Sequence, residues 1–345
     1  MSLNGSPRFL VIRRDNIGDL VCTTPLIAAL RATYPGSYIA ALVNSYNRDV
    51  LAGNPDIDEI FAYTKAKHRG SARSWIAVMT ERIRLFFAMR RARIDVAILA
   101  APGFQPRSLR MARWAGAKRV LGFVNHDSQG GIELGVNART TQTLHEVEDV
   151  YRLATGVDIA MPPPAATVIP EASKLARIRD QMQRHFPASG PIIALHISAR
   201  KPSQRWPAER FAELANRLYA SHNARLLLLW APGDAANAQH PGDDGKAQGI
   251  RETCKPTGML AVPTTQLSDL IAALAVCDVV ICADGGAMHI AAGLQKPIVC
   301  LFGDSQASRW HPWKTRYELL QSESRQVIDI GVDEVIGAAR RMLAL

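Results

Sequence analysis

No apolar run in the 345 residues approaches the ~20 that a bilayer-crossing helix needs. The N-terminal MSLNGSPRFLVIRRD holds only four consecutive apolar residues before charge returns, too few for a secretory signal. The five cysteines (Cys22, Cys254, Cys277, Cys282, Cys300) are odd in number, sit mostly in apolar segments and lack metal-ligand spacing. They read as small core residues of a reduced compartment, and the expected location is the cytoplasm. No convincing metal cluster and no resident cofactor are expected. Aromatics make up only 6% of the chain, and no helix-turn-helix, zinc or RNA-recognition signature is present. Nucleic acid is therefore not the expected partner, although charge alone would suggest it. Acidic residues are scarce in one place: Lys65–Arg119 carries 14 Lys and Arg against Glu81 and Asp95, about +12 beside a net +10 for the whole chain. A basic region set in an otherwise near-neutral chain suggests a polyanion: nucleic acid, an anionic membrane surface or a phosphorylated substrate.

What is present is β/α alternation in two series. Arg8–Arg13, Tyr38–Val43, Glu59–Tyr63 and Asp95–Ala100 read as strands of the first. Pro191–Ile197, Arg225–Trp230, Val279–Ala283 and Pro297–Phe302 read as strands of the second. The apolar runs do not alternate, as in parallel strands covered on both faces. Between the series lies Ile159–Glu171 (IAMPPPAATVIPE), whose three prolines make a semi-rigid connector. The expected division is 1–160, a linker at 161–171, and 172–345, with the last helix able to return to the first domain.

Several turns carry chemistry. After the first strand comes Arg14-Asp15-Asn16-Ile17-Gly18-Asp19, with Asp19 opening a helix that runs to Pro35-Gly36. The G-x-G-x-x-G dinucleotide fingerprint is absent there, which argues against an NAD-type site. Asp19 suits either an N-cap or a general base facing a cleft. Asp284-Gly285-Gly286 stands between a buried strand and a helix bearing His289, where free N–H groups favour anions. The loop Ser198–Pro207 offers Arg200, Lys201 and Arg205 with the Ser198 and Ser203 hydroxyls, a pyrophosphate clamp or a solvated basic loop. Asp56-Ile57-Asp58 matches a D-x-D metal pattern but sits where turn chemistry explains it. Ser71–Arg93 reads as an amphipathic helix packed on the sheet or, more sharply, as a membrane-surface helix with arginines among bulky apolar residues.

N-I-G-D-L-V…P-L-I-A-A-L, the R-W-P loop, the W-x-P-G-D turn and D-G-G-x-x-H-x-A-A, taken in that order from Arg8 to the last helix, resemble glycosyltransferase family 9, the ADP-heptose:lipopolysaccharide heptosyltransferases. The resemblance implies an α/β GT-B architecture, two Rossmann-like domains facing a cleft, with the nucleotide sugar held mainly by the second. It implies inverting, metal-independent heptose transfer from ADP-heptose to the Kdo or heptose of the phosphorylated lipopolysaccharide inner core, at the cytoplasmic face of the inner membrane. It places the catalytic base, after Gly18, on Asp19. Donor contacts fall on Gly18, Ser198, Asp234 (ribose), Asp284, Gly285, Gly286 and His289. One departure stands out: the family's phosphate-binding lysine is here Gln204, so the charge must come from Arg200, Lys201 or Arg205. Another nucleotide sugar, such as a UDP-sugar, and a non-catalytic nucleotide-sugar-binding protein are the competing readings.

Overall fold

A computed structural model of the chain describes residues 5–64, 75–125, 130–186, 189–236, 242–254 and 258–344. Of the basic stretch, Lys65, Lys67, Arg69 and Arg73 lie outside these residues, as do the first four positions expected of the Ser71–Arg93 helix. The chain divides into two compact units, Met1–Ala166 and Thr167–Leu345. The division falls within the proline-rich stretch, which contains no helix or strand from Ala160 to Glu171.

The first unit contains β1 (Arg8–Ile12), β2 (Tyr38–Asn44), β3 (Glu59–Tyr63), β4 (Val96–Leu99), β5 (Arg119–Val124) and β6 (Leu134–Asn137). All pair in parallel, in the order β3-β2-β1-β4-β5-β6. The second contains β7 (Ile192–His196), β8 (Arg225–Trp230), β9 (Met259–Pro263), β10 (Val279–Ala283), β11 (Ile298–Phe302) and β12 (Tyr317–Gln321). These too are parallel, ordered β12-β11-β10-β7-β8-β9, the same succession read from the other edge. Central strands are buried along all but their end residues, which is why their sequences run apolar without alternation. All five cysteines are buried free thiols. The last helix, Val332–Leu343, buries Val335, Ile336, Ala338, Ala339 and Met342 in the core of the second unit.

The first helix departs from expectation. It is split into Ile17–Val21 and Thr24–Thr33. Pro25 has no N–H to continue an i→i−4 ladder and its ring crowds the carbonyl four residues back, so the chain restarts there with the proline in the first turn. The Thr23 and Thr24 hydroxyls satisfy the carbonyls of Asp19 and Val21 at the break. Asp19 is then neither the N-cap nor the first helical residue. Asn16 caps, and Asp19 is the third residue, its carboxylate returning to the Asn16 N–H at 2.8 Å.

Candidate active site

In each sheet the strand order reverses at one place, between β1 and β4 and between β7 and β10. Ligands of open α/β sheets bind outside the carboxyl ends of the strands at such switch points. The Asp19 turn follows β1, the Ser198–Pro207 loop follows β7 and the Asp284 turn follows β10. The aspartate turns singled out in the sequence thus stand at the switch points.

Asp19 is set in a charged, nearly closed environment. Its Oδ1 accepts from Arg13 Nη2 at 2.9 Å, and its Oδ2 accepts from the Asn16 backbone and side-chain amides at 2.8 and 2.9 Å. Its side chain keeps 11% of its surface open, enough for a hydroxyl to reach it. Arg13 is buried, and its Nη1 donates to the Ala100 carbonyl beyond β4. Burial pulls the Arg13 pKa down, but Asp19, Glu146 and Asp15 more than offset this, leaving it raised and the group charged. Sequence reading did not find Arg13 or Glu146 as functional. An arginine inside an apolar strand end was the available signal for Arg13.

In the second unit the Asp284 carboxylate accepts from the Gln204 side-chain amide at 2.8 Å through Oδ2, and the same nitrogen meets Ser305 Oγ at 3.0 Å. Gln204, read from the sequence as the loss of a cation, is therefore a buried neutral donor that fixes the aspartate. Trp206 anchors its loop, fully buried, with Nε1 on the Ile330 carbonyl at 3.0 Å and its ring edge-on to Phe211. Gly303 completes the packing, since a Cβ there would stand 2.4 Å from the Ser203 carbonyl oxygen. At Gly285, by contrast, a Cβ would meet nothing within 4 Å. The space over that residue is open to a ligand, and Gly286 begins the helix Gly286–Gly293. His289 is buried on this helix and packs edge-on against Trp310.

The three loop cations separate. Arg205 donates to the Ala199 carbonyl and, at 3.3 Å, to the buried Asp243, while its Nη2 and Asp243 Oδ2 have no hydrogen-bond partner among the described residues. Lys201 lies 3.4 Å from Asp304, whose carboxyl is held below its usual range first by the Ser203 hydroxyl and then by Lys201. Arg200 is exposed and makes no ion pair or hydrogen bond among the described residues. Ser198 Oγ accepts from the Ala231 N–H, tying the β7 and β8 loops together. Lys246, also missed, reaches the Ile197 carbonyl at 2.9 Å and lies over the Phe211 ring. Its pKa is lowered to about 8, chiefly by burial.

Asp234 is exposed and its Oδ1 accepts from Ala236 N within its own turn. The carboxylate that holds the W-x-P-G turn is instead Asp244, which accepts from Trp230 Nε1 at 2.7 Å and Gly233 N at 2.9 Å. An open groove of about 750 Å³, lined by Trp230, Asp244, Arg251 and Met259 among others, includes none of the donor residues expected from the sequence. In the D-x-D segment the Asp56 N–H donates to Asn54 Oδ1 at 2.9 Å within the turn, and Asp58 ties the turn to the rest of the unit, accepting from the Ile39 N–H and pairing with Arg31, both at 2.7 Å.

The family model for glycosyltransferase family 9 (heptosyltransferase) matches residues 82–333. The chain is 24% identical over 305 residues to lipopolysaccharide heptosyltransferase 2 of Escherichia coli (strain K12), covering 86% of this chain and 83% of that protein. It is 23% identical over 334 residues to lipooligosaccharide heptosyltransferase 2 of Haemophilus influenzae, covering 93% and 90%. Among solved structures, a glycosyl transferase family 9 protein of Veillonella parvula superposes with a TM-score of 0.83 at 21% identity, covering 100% of this chain and 99% of that one. ADP-heptose lipopolysaccharide heptosyltransferase II of E. coli superposes at 0.76 and 21%, covering 98% of each. The two six-stranded parallel sheets are those of the GT-B fold. With the family model spanning most of its length, the chain belongs to glycosyltransferase family 9, the heptosyltransferase family, and is a glycosyltransferase.

Proposed function

We propose that the protein transfers heptose from ADP-heptose to the Kdo or heptose of a phosphorylated lipopolysaccharide inner core, with inversion and without a metal. The observation that carries this reading is Asp19, a partly open carboxylate held at a switch point by Arg13 and Asn16. Asp19 takes the proton of the acceptor hydroxyl. The bond from that oxygen to the anomeric carbon forms as the bond to the β-phosphate oxygen breaks, and its electron pair leaves with ADP. A positioned base contributes ~10²–10⁴-fold. Arg200 and the N–H groups opening Gly286–Gly293 are the groups available to the leaving pyrophosphate. Asp284, held by Gln204, grips sugar hydroxyls and keeps the reacting atoms aligned.

The acceptor is a lipid-borne sugar, and the protein contacts the anionic cytoplasmic face of the inner membrane peripherally. Support comes from the helix Trp75–Arg91, where Met79, Ile83 and Phe87 stand exposed one turn apart, with Arg82, Arg84, Arg90 and Arg91 also exposed. No described helix is long and apolar enough to cross a membrane. Flotation with anionic vesicles tests the contact: binding at low salt and release at high salt are expected, and failure to bind at low salt sinks it. Transfer assays with ADP-heptose and a panel of truncated acceptors test the reaction. Silence with every acceptor, together with thermal stabilisation by UDP rather than ADP, would overturn the donor.

A further inference from the structure

One nitrogen of Arg13 serves two carboxylates. Nη2 lies 2.9 Å from Asp19 Oδ1 and 2.8 Å from Glu146 Oε1, so each of its two hydrogens is given to a different acid. The side chains of Arg13 and Glu146 are 2% and 3% exposed. Glu146 comes from far along the chain, at the first position of the helix Glu146–Tyr151. It is Glu148 that closes the capping box of that helix on the His145 N–H. Glu146 is not the residue that closes that box.

A single carboxylate would be enough to pair a buried guanidinium, and burying a second costs several kcal/mol unless it is compensated. The assignment of Asp19 as the base supplies a reason for the second, and the role inferred for Glu146 rests on that assignment. Asp19 must alternate between carboxylate and carboxylic acid. When it takes the acceptor's proton it no longer neutralises Arg13, and Asp15, 3.2 Å from Nε and 43% exposed, is a weak substitute. We infer that Glu146 is a positioning residue for catalysis: through Arg13 it holds Asp19 in register and keeps the guanidinium paired in both halves of the proton cycle. Arg13 is fixed on its other side by the Ala100 carbonyl, so the geometry of Asp19 is set from β1, the β4 loop and the Glu146 helix together.

The experiment measures kcat, both KM values and ADP-induced thermal stabilisation for Glu146→Gln and Glu146→Asp, with ADP-heptose and a truncated acceptor and rates normalised to folded protein. Gln keeps the shape and an acceptor oxygen but removes the charge. It is expected to lower kcat about 10- to 100-fold, the scale of a misplaced catalytic group, with KM and ADP stabilisation unchanged. Asp restores the charge and recovers most of kcat, which a merely structural role does not explain. Wild-type kcat in Glu146→Gln, or no recovery in Glu146→Asp, overturns the inference. Asp19→Asn in parallel separates the failures. If it retains full turnover, the base assignment falls and this inference with it; if it is inactive while Glu146→Gln is normal, only the role of Glu146 falls.

Discussion

Two aspartates stand at the switch points of two sheets of the same strand order, one after β1 and one after β10 on the opposite side of its switch, and they are held differently. Asp19 is gripped by charge, through an arginine shared with a second buried acid. Asp284 is gripped by a neutral amide, and its Oδ1 has no hydrogen bond among the described residues. A group that gains and loses a proton needs a counter-charge that stays satisfied in both states. A group that grips hydroxyls needs only to be oriented, with an oxygen left for the ligand. In the proposed reading it is the surroundings, more than the residue type, that would separate the base from the clamp.

The largest effect expected from breaking this contrast is at Asp19. Asp19→Asn keeps size and polarity, so it should cost ~10²–10⁴-fold in kcat while ADP binding is unchanged. Asp284→Ala should act the other way, weakening donor binding about 10- to 100-fold, the worth of a hydrogen bond to a charged group. If isothermal titration showed Asp19→Asn losing donor and Asp284→Ala keeping it, the roles would be reversed.

Gln204 sharpens the comparison. Gln204→Glu sets a second carboxylate against Asp284 and should weaken donor binding about tenfold or more, whereas Gln204→Lys should keep binding. Equal affinity in both variants would mean that Asp284 does not feel this neighbour. The loop that carries Gln204 hangs on Trp206, so Trp206→Ala should cost about 3–5 kcal/mol of stability in denaturant titration.

The sequence revealed central strands well because apolar runs such as Val279–Ala283 and Arg225–Trp230 have no other home than a covered sheet. Leu134–Asn137, Met259–Pro263 and Tyr317–Gln321 escaped because they are partly exposed edge strands, and Arg119–Val124 escaped although it is interior and largely buried, its short apolar run broken by Gly122. Asp19 and Asp284 were visible as acids in turns after strands. Their partners were not, since Glu146 lies 133 residues from Arg13 and Gln204 80 residues from Asp284. A local pattern does not encode a contact made by folding. Gln204 was legible only as a missing charge, and its hydrogen bond to Asp284 gives it a positive part.

The last effect expected separates the two units by acidity. His196 ends β7, and burial, then Lys246, lowers its pKa to about 4. The folded state keeps it neutral down to that pH, whereas the unfolded chain takes up the proton near the ordinary 6.5. Between these values the unfolded state binds more protons, so stability falls as pH drops from about 6.5 to 4, by up to about 3 kcal/mol at 1.36 kcal/mol per unit. Arg13 stays charged throughout this range and adds no such slope. His196→Gln should therefore flatten the fall in stability of the second unit, followed by tryptophan fluorescence through Trp206 and Trp230, and leave the Asp19 turn untouched. An unchanged slope would mean that His196 takes up its proton as readily in the folded protein as in the unfolded chain, which requires an acceptor or water reaching the end of β7 beside Ser198.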